Sequence, residues 1–161
     1  MKKFFKALTC LTLALCLLAS SLLVSNPVSA AETTVSEETI QTDDGGYCII
    51  TTTETVIPSI TRGTTKRKGA KKSYKYYNAS NVLTWEYTLH AAFMYDDYLV
   101  VCSDVSEEIT IHNIRNWIYD EASRWKSGNT AYGKAVFRLL TTSAKKTVNL
   151  QISCTKHGVI S

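Results

Sequence analysis

The chain has 161 residues and a formal net charge of +4. That length suits one domain with one hydrophobic core and is too short for two full domains. The sequence has no Gly-x-Ser-x-Gly, His-Glu-x-x-His or Cys-x-x-Cys motif and no phosphate-binding glycine loop. Those motifs would signal serine hydrolases, zinc proteases, thiol oxidoreductases and nucleotide-binding enzymes. We therefore predict a protein that is not an enzyme, with no catalytic residue, no metal and no cofactor.

The first thirty residues have the pattern of an export signal. Three lysines precede an uncharged apolar run over residues 7–24, and Val28-Ser29-Ala30 follows with the compact residues of a cleavage site. We predict a signal peptide over 1–30 and therefore a secreted protein, extracellular or cell-wall associated. A retained anchor is the alternative, because about 18 apolar residues can just span a hydrocarbon core. Cleavage would remove three lysines and leave 131 residues with a formal charge of +1.

The segment after the signal is acidic and then becomes rich in β-branched residues. Residues 31–46 hold few large apolar side chains, so we predict a mobile acidic leader that cannot offset the entropy of ordering. Residues 47–161 are predicted to form a single β-rich domain. Its first strand spans 47–57 and ends at Pro58, which favours an edge position.

A basic stretch follows this strand, and its charges and nearby tyrosines resemble a surface for polyanions. Such binding is electrostatic and weakens steeply with salt. The alternative is a solvated loop and edge strand in which lysines prevent edge-to-edge aggregation. Lys66-Arg67-Lys68 also matches a protease site that would release 31–68 as a propeptide. The predicted anion-binding residues are Arg62, Lys66, Arg67, Lys68, Lys71, Lys72 and Lys75.

The clearest pattern lies in residues 83–95, where apolar and mostly polar residues alternate. A period of two over that length predicts a long antiparallel strand with one buried face. Asp96-Asp97 then predicts a turn, and 98–105 a further strand. Residues 135–139 and 148–154 predict two more strands, the last of which points Cys154 toward its apolar side.

One segment carries a different period. Apolar residues from Ile111 to Trp125 recur at spacings of three and four, which predicts a helix near 113–126. The alternative is two short strands in which Trp117 and Trp125 plug the core. We predict a mostly β fold, a small antiparallel β-sandwich or open barrel, with the short helix as the variant.

Two of the five cysteines lie in the signal, so Cys48, Cys102 and Cys154 remain. In an oxidising compartment two of them should pair, and Cys102 with Cys154 is the natural choice because each lies in a β-patterned segment. Cys48 would stay free or link two chains. The alternative, Cys102 as a nucleophile beside a histidine, needs a lowered thiol pKa that nothing nearby in the sequence suggests.

Other polar residues give no site. His90, His112 and His157 lack the spacing of metal ligands, so solvent-facing histidines are expected. Adjacent acids such as Glu107-Glu108 point to opposite faces of a strand, which argues against a catalytic carboxylate pair and favours solvated turn residues.

Six short motifs lie at residues 72–78, 82–85, 93–95, 102–103, 125–131 and 154–161. Taken in order, they resemble a group of small, uncharacterised secreted β-domain proteins of Gram-positive, largely gut-dwelling bacteria. The resemblance covers roughly residues 64–161 and implies an extracellular β-domain with a Cys102–Cys154 bridge, but no activity. It also favours strands over a helix near 113–126.

The function predicted from the sequence is a secreted, non-catalytic binding or interaction module for anionic cell-envelope polymers. The alternative is a bacteriocin-like or toxin-like factor that acts on membranes. Neither prediction includes a specific nucleic acid, and the oligomeric state is left open.

Overall fold

The computed structural model describes residues 31–58 and 65–161. The predicted signal peptide at 1–30 and the predicted anion-binding Arg62 lie outside these residues. Among the residues described, none belongs to a helix long and apolar enough to cross a membrane. The strands are β1 (Glu32–Gln41), β2 (Tyr47–Ile57), β3 (Lys66–Tyr77), β4 (Leu83–Tyr95), β5 (Val100–Ile111), β6 (Trp117–Ser127), β7 (Thr130–Leu139) and β8 (Lys145–Ser153).

Each strand pairs antiparallel with its neighbour in the sequence. Strands β1 to β5 form a five-stranded sheet and β6 to β8 form a three-stranded sheet. The sheets pack face to face and do not close into a barrel, which confirms the predicted β-sandwich. The only crossing between sheets in the described chain is the turn from β5 to β6, so neighbouring strands pair locally along the sequence.

The core lies between the sheets and is built on β4. Its alternate residues Trp85, Tyr87, Leu89 and Phe93 have no exposed surface, as the period of two predicted. The ring of Trp85 lies 3.8 Å from the ring of Phe137 on β7, with only 9° between their planes. This stack joins the two sheets.

Gly133 on β7 allows the sheets to approach closely. A Cβ atom at this position would overlap the hydroxyl group of Tyr87 and lie 2.9 Å from Leu89 Cδ1. A glycine is therefore required where the inner face of β7 meets β4.

The acidic segment predicted as a mobile leader is a strand instead. Residues Glu32–Gln41 form β1 and pair with β2, with one irregularity at Val35, although all ten are exposed. The composition argument considered only side-chain burial, whereas β1 gains backbone hydrogen bonds with β2. Because β1 covers its edge, β2 is not the edge strand that Pro58 suggested, although it does end at Ile57.

The short helix near 113–126, which the spacing alone favoured, is not formed, and the segment contains a strand, as the resemblance implied. The backbone turns at Asn113–Asn116 and then forms strand β6, which pairs with β7 and has one irregularity between Tyr119 and Glu121. Trp117 is a core plug with 6% exposure, as the strand alternative required, but Trp125 is 48% exposed. Pairing with β7 across the Gly128-Asn129 turn satisfies the backbone of β6, and this pairing overrides the helical spacing.

Candidate functional site

The side chains of β3 alternate between the two faces of the sheet, and this divides the predicted anion-binding residues between those faces. Lys68 and Lys72 point toward the three-stranded sheet, because their Nζ atoms bond to residues that follow or belong to β8. Arg67, Lys71 and Lys75 occupy the other positions of the period and face solvent on the far side of the five-stranded sheet. The structure therefore does not bring these five residues together as one surface.

The two inward lysines stabilise the side of the sandwich. Lys68 Nζ lies 2.9 Å from a Glu54 carboxylate oxygen and donates to the carbonyl oxygen of Gly158 at 2.6 Å. Its side chain is only 11% exposed. Lys72 Nζ donates to the carbonyl oxygen of Gln151 at 3.3 Å. Both ammonium groups donate to carbonyl groups of this chain, so these contacts stabilise the fold.

The outward basic residues lie among acids. Lys71 Nζ is 2.8 Å from Glu32 and Lys75 Nζ is 3.4 Å from Glu86. Lys66, at the start of β3, is exposed and belongs to the inward set of positions. The charge on this outer face is therefore mixed, because its described acids are Glu32, Glu37, Glu86, Asp104 and Glu108.

The outer face of the three-stranded sheet carries a different feature. The rings of Trp125 on β6 and Tyr132 on β7 are stacked, with centroids 5.3 Å apart and 8° between their planes. They face each other across the hairpin whose turn is Gly128-Asn129, where Gly128 has a φ of +57°. A glycine suits that left-handed conformation. We call the Trp125–Tyr132 pair the aromatic platform.

Hydrogen-bonding side chains surround the aromatic platform. The register places Gln151 of β8 beside Tyr132, and it aligns Ser123, Lys134 and Asn149 in the next row on the same face. Within residues 31–58 and 65–161, the side chains of Ser123, Asn149 and Gln151 have no hydrogen-bond partner. Lys134 Nζ lies 3.3 Å from Glu121. The site thus combines an apolar ring surface with free amide and hydroxyl groups.

The three cysteines of the described chain are buried free thiols, so the predicted Cys102–Cys154 bridge is not formed in this structure. The backbone N–H groups of Cys102 and Cys154 donate to the adjacent carbonyl oxygens of Gly128 and Asn129, which brings the two residues to one turn. Burial raises the pKa of both thiols. A buried thiol with a raised pKa is a poor nucleophile.

The three histidines lie at the surface, although His90 is only partly exposed. His90 lies 3.8 Å from Glu108 and His157 lies 3.9 Å from Asp97. His112 is also exposed, in the turn after β5. These positions agree with the expectation of solvent-facing histidines.

Glu107 and Glu108 do point to opposite faces of β5, as expected, but Glu107 is not a solvated turn residue. Its side chain is 11% exposed, and it accepts hydrogen bonds from the hydroxyl group of Tyr87 at 2.9 Å and from Arg124 at 3.0 Å. Burial and the bond to Glu107 raise the pKa of the Tyr87 hydroxyl. This cluster holds β4, β5 and β6 together.

Sequence reasoning missed the aromatic platform because Trp125 was assigned to the core. A signal was present in the Gly128-Asn129 pair, which favours a two-residue hairpin turn. Counting back three residues from Gly128 and forward three from Asn129 makes Trp125 and Tyr132 cross-strand partners. The face on which they lie follows only from the position of the other sheet.

Comparison of the chain with protein-family models, with curated proteins and with solved structures gave no match. The function is therefore argued from the geometry of the site.

Proposed function

We propose that this chain is a secreted, non-catalytic binding module that holds the saccharide part of a cell-envelope polymer on its aromatic platform. The observation that carries the proposal is the exposure of Trp125, 48% of whose surface is open to solvent while its ring lies flat against Tyr132. A large aromatic surface presented in this way favours a ligand that can cover it.

The chemistry of the surroundings favours a saccharide. One face of a sugar ring presents C–H groups and packs flat on an aromatic ring, while its hydroxyl groups point sideways. Asn149, Gln151 and Ser123 offer amide and hydroxyl groups at the sides of the aromatic platform. Amides donate and accept hydrogen bonds, so they match sugar hydroxyl groups, which do the same.

An anionic group on the polymer is also accommodated. Lys134 lies in the row next to the aromatic platform, and its partner Glu121 is at 3.3 Å in an exposed ion pair. Exposed pairs contribute only about 0 to 1 kcal/mol, so a phosphate or carboxylate of the ligand can replace Glu121. The charge of Lys134 then strengthens binding, and the aromatic platform determines where the ligand lies.

Export belongs to the same proposal. The charged and apolar start of the sequence supports a cleaved signal, and the position of Cys102 and Cys154 at one turn supports their pairing after export. An envelope polymer would then be the material that the module meets. The resemblance of residues 64–161 to secreted proteins of Gram-positive bacteria is part of this proposal.

The test is retention of the purified protein on isolated Gram-positive cell walls, together with calorimetric titration of the soluble tetrasaccharides of glucose and of N-acetylglucosamine. We expect Trp125→Ala to weaken binding at least about tenfold, which corresponds to 1.4 kcal/mol. Tyr119→Ala is the matched control, because Tyr119 lies on the same strand with 54% exposure. The control should bind like the natural protein.

Two results would overturn the proposal. One is equal binding by Trp125→Ala and the natural protein to walls and tetrasaccharides. The other is that the natural protein binds neither walls nor tetrasaccharides, whereas a protein partner captured from the same cells covers Trp125. Thermal unfolding of both variants checks that each is folded.

A further inference from the structure

A cavity of about 340 Å³ opens at the end of the sandwich where β6 begins. Its walls come from the turn before β2, the turn between β3 and β4, and the turn between β5 and β6. The aromatic platform lies near the other end of β6, so the two sites are separate. We call this space the end cavity.

One side of the end cavity is polar and consists of side chains with free hydrogen-bonding capacity. Within the described ranges, the side-chain amides of Asn113 and Asn116 and the hydroxyl group of Ser80 have no hydrogen-bond partner. The backbone atoms of Asn113 and Asn116 are used, because the carbonyl of Asn113 accepts bonds from Asn116 and Trp117. The turn is therefore fixed while its amide groups remain available.

Another part of the lining is apolar or aromatic. It contains Tyr76, Trp117 and Leu139, together with the small residue Ala79. Trp117 and Tyr76 also pack on each other edge to face, with ring centroids 5.7 Å apart. Rings held in this way give the cavity fixed walls before a ligand arrives.

The carboxylate in the end cavity is already neutralised. Asp44 accepts hydrogen bonds from the hydroxyl groups of Thr42 and Tyr76, each at 2.6 Å, and lies 2.9 Å from Lys146 Nζ. A cationic ligand would have to compete with Lys146, and an anionic ligand would meet the carboxylate. The charges therefore favour a neutral ligand.

We propose that the end cavity binds the N-acetyl group of an amino sugar. This group is neutral and carries one N–H donor, one carbonyl acceptor and one methyl group. The amides of Asn113 and Asn116 can accept from the N–H and donate to the carbonyl, and the methyl group fits the side formed by Trp117 and Leu139. The inference uses a different surface from the proposed function and stands without the aromatic platform.

The experiment measures binding of N-acetylglucosamine, glucosamine and glucose by nuclear magnetic resonance of the Trp117 indole and the asparagine side-chain amides. We expect N-acetylglucosamine to shift the signals of Trp117, Asn113 and Asn116, and glucose and glucosamine to bind at least about tenfold more weakly. The variant Asn113→Ala/Asn116→Ala should lose the N-acetyl preference. Thr33→Ala, at an exposed position of β1 outside both sites, is the control and should keep it.

The outcomes separate the two proposals. Trp125→Ala should bind N-acetylglucosamine at the end cavity like the natural protein, even though its binding at the aromatic platform is lost. The inference is overturned if N-acetylglucosamine leaves the Trp117 signal unchanged, or if glucose shifts it equally. It is also overturned if the double asparagine variant, shown to be folded by its thermal unfolding, keeps the N-acetyl preference.

Discussion

The ring of Trp85 on β4 lies flat against the ring of Phe137 on β7, 3.8 Å away, and this is the central contact between the two sheets. Trp85 also stacks on Tyr76, with ring centroids 5.0 Å apart. Both members of the first pair are completely buried. The sandwich is thus joined at its centre by aromatic packing that belongs to both sheets.

Replacing Trp85 by alanine should therefore be among the most destabilising single changes. A buried aromatic side chain changed to alanine costs about 3 to 5 kcal/mol, because transfer energy is lost and a cavity remains. Chemical denaturation would measure the loss in the free energy of unfolding. The control is Tyr98→Ala, since Tyr98 is 94% exposed, and its effect should stay within about 0.5 kcal/mol.

Two glycines provide a matched test of the distance between the sheets. We expect Gly133→Ala to lower the free energy of unfolding by about 1 to 3 kcal/mol, because its new Cβ overlaps Tyr87 in a packed core. At Gly69 on β3 the nearest atom to a new Cβ is 3.7 Å away. Gly69→Ala should therefore be neutral or stabilise by up to about 1 kcal/mol. Equal losses for both variants would contradict this account.

Oxidation of the cysteines should change the mass and the stability of the protein. If Cys102 and Cys154 pair after export, the intact mass falls by two hydrogen atoms and rises again on reduction, while Cys48 stays reactive only after unfolding. The bridge would add about 4 kcal/mol to the free energy of unfolding on the chain-entropy account. A Cys48→Ala variant should show the same mass change. A mass that reduction leaves unaltered would show that the bridge does not form.

The carboxylate of Asp44 predicts how stability depends on acid. Burial is the largest single influence and raises its pKa, but hydrogen bonds from Thr42, Tyr76 and Lys146 and the charge of Lys146 together outweigh burial and hold the pKa well below its usual range. A carboxyl group whose pKa is lowered on folding stabilises above its unfolded pKa of about 3.9 and loses that stabilisation as the pH falls toward the folded value. Asp44→Asn should make the free energy of unfolding less dependent on pH between about pH 4 and pH 2. Asp43→Asn, next to it and exposed, should not.

The outward basic residues of β3 and the aromatic platform lie on the outer faces of different sheets, so their contributions to binding can be compared. Lys71 and Lys75 are paired with acids, and Arg67 contacts Met94. Changing these three basic residues to glutamine should therefore lower retention on cell walls less than Trp125→Ala does. The remaining effect should vanish at high salt, where exposed charges are screened. Retention on cell walls across a salt gradient measures the loss in each variant and its dependence on salt. A larger loss from the triple variant would move the binding surface to the five-stranded sheet.

The sequence alone was sufficient for the strands whose side chains alternate regularly. Residues 83–95 became β4 and 148–154 matched the end of β8, because burial on one face of a strand requires a period of two. The turn at Asp96-Asp97 was also correct, since Asp96 Oδ1 accepts bonds from the backbone N–H groups of Tyr98 and Leu99. These features depend on local chemistry.

Other features were decided by pairing between neighbouring strands and by packing between the two sheets. The acidic segment before β2 became β1 because β2 offered a free edge, and β6 became a strand because β7 lay beside it. The exposure of Trp125, the inward direction of Lys68 and the end cavity all depend on where the second sheet packs. A sequence determines which residues alternate, but only the packed sheets determine which of the two faces meets water, and the candidate sites lie on those faces.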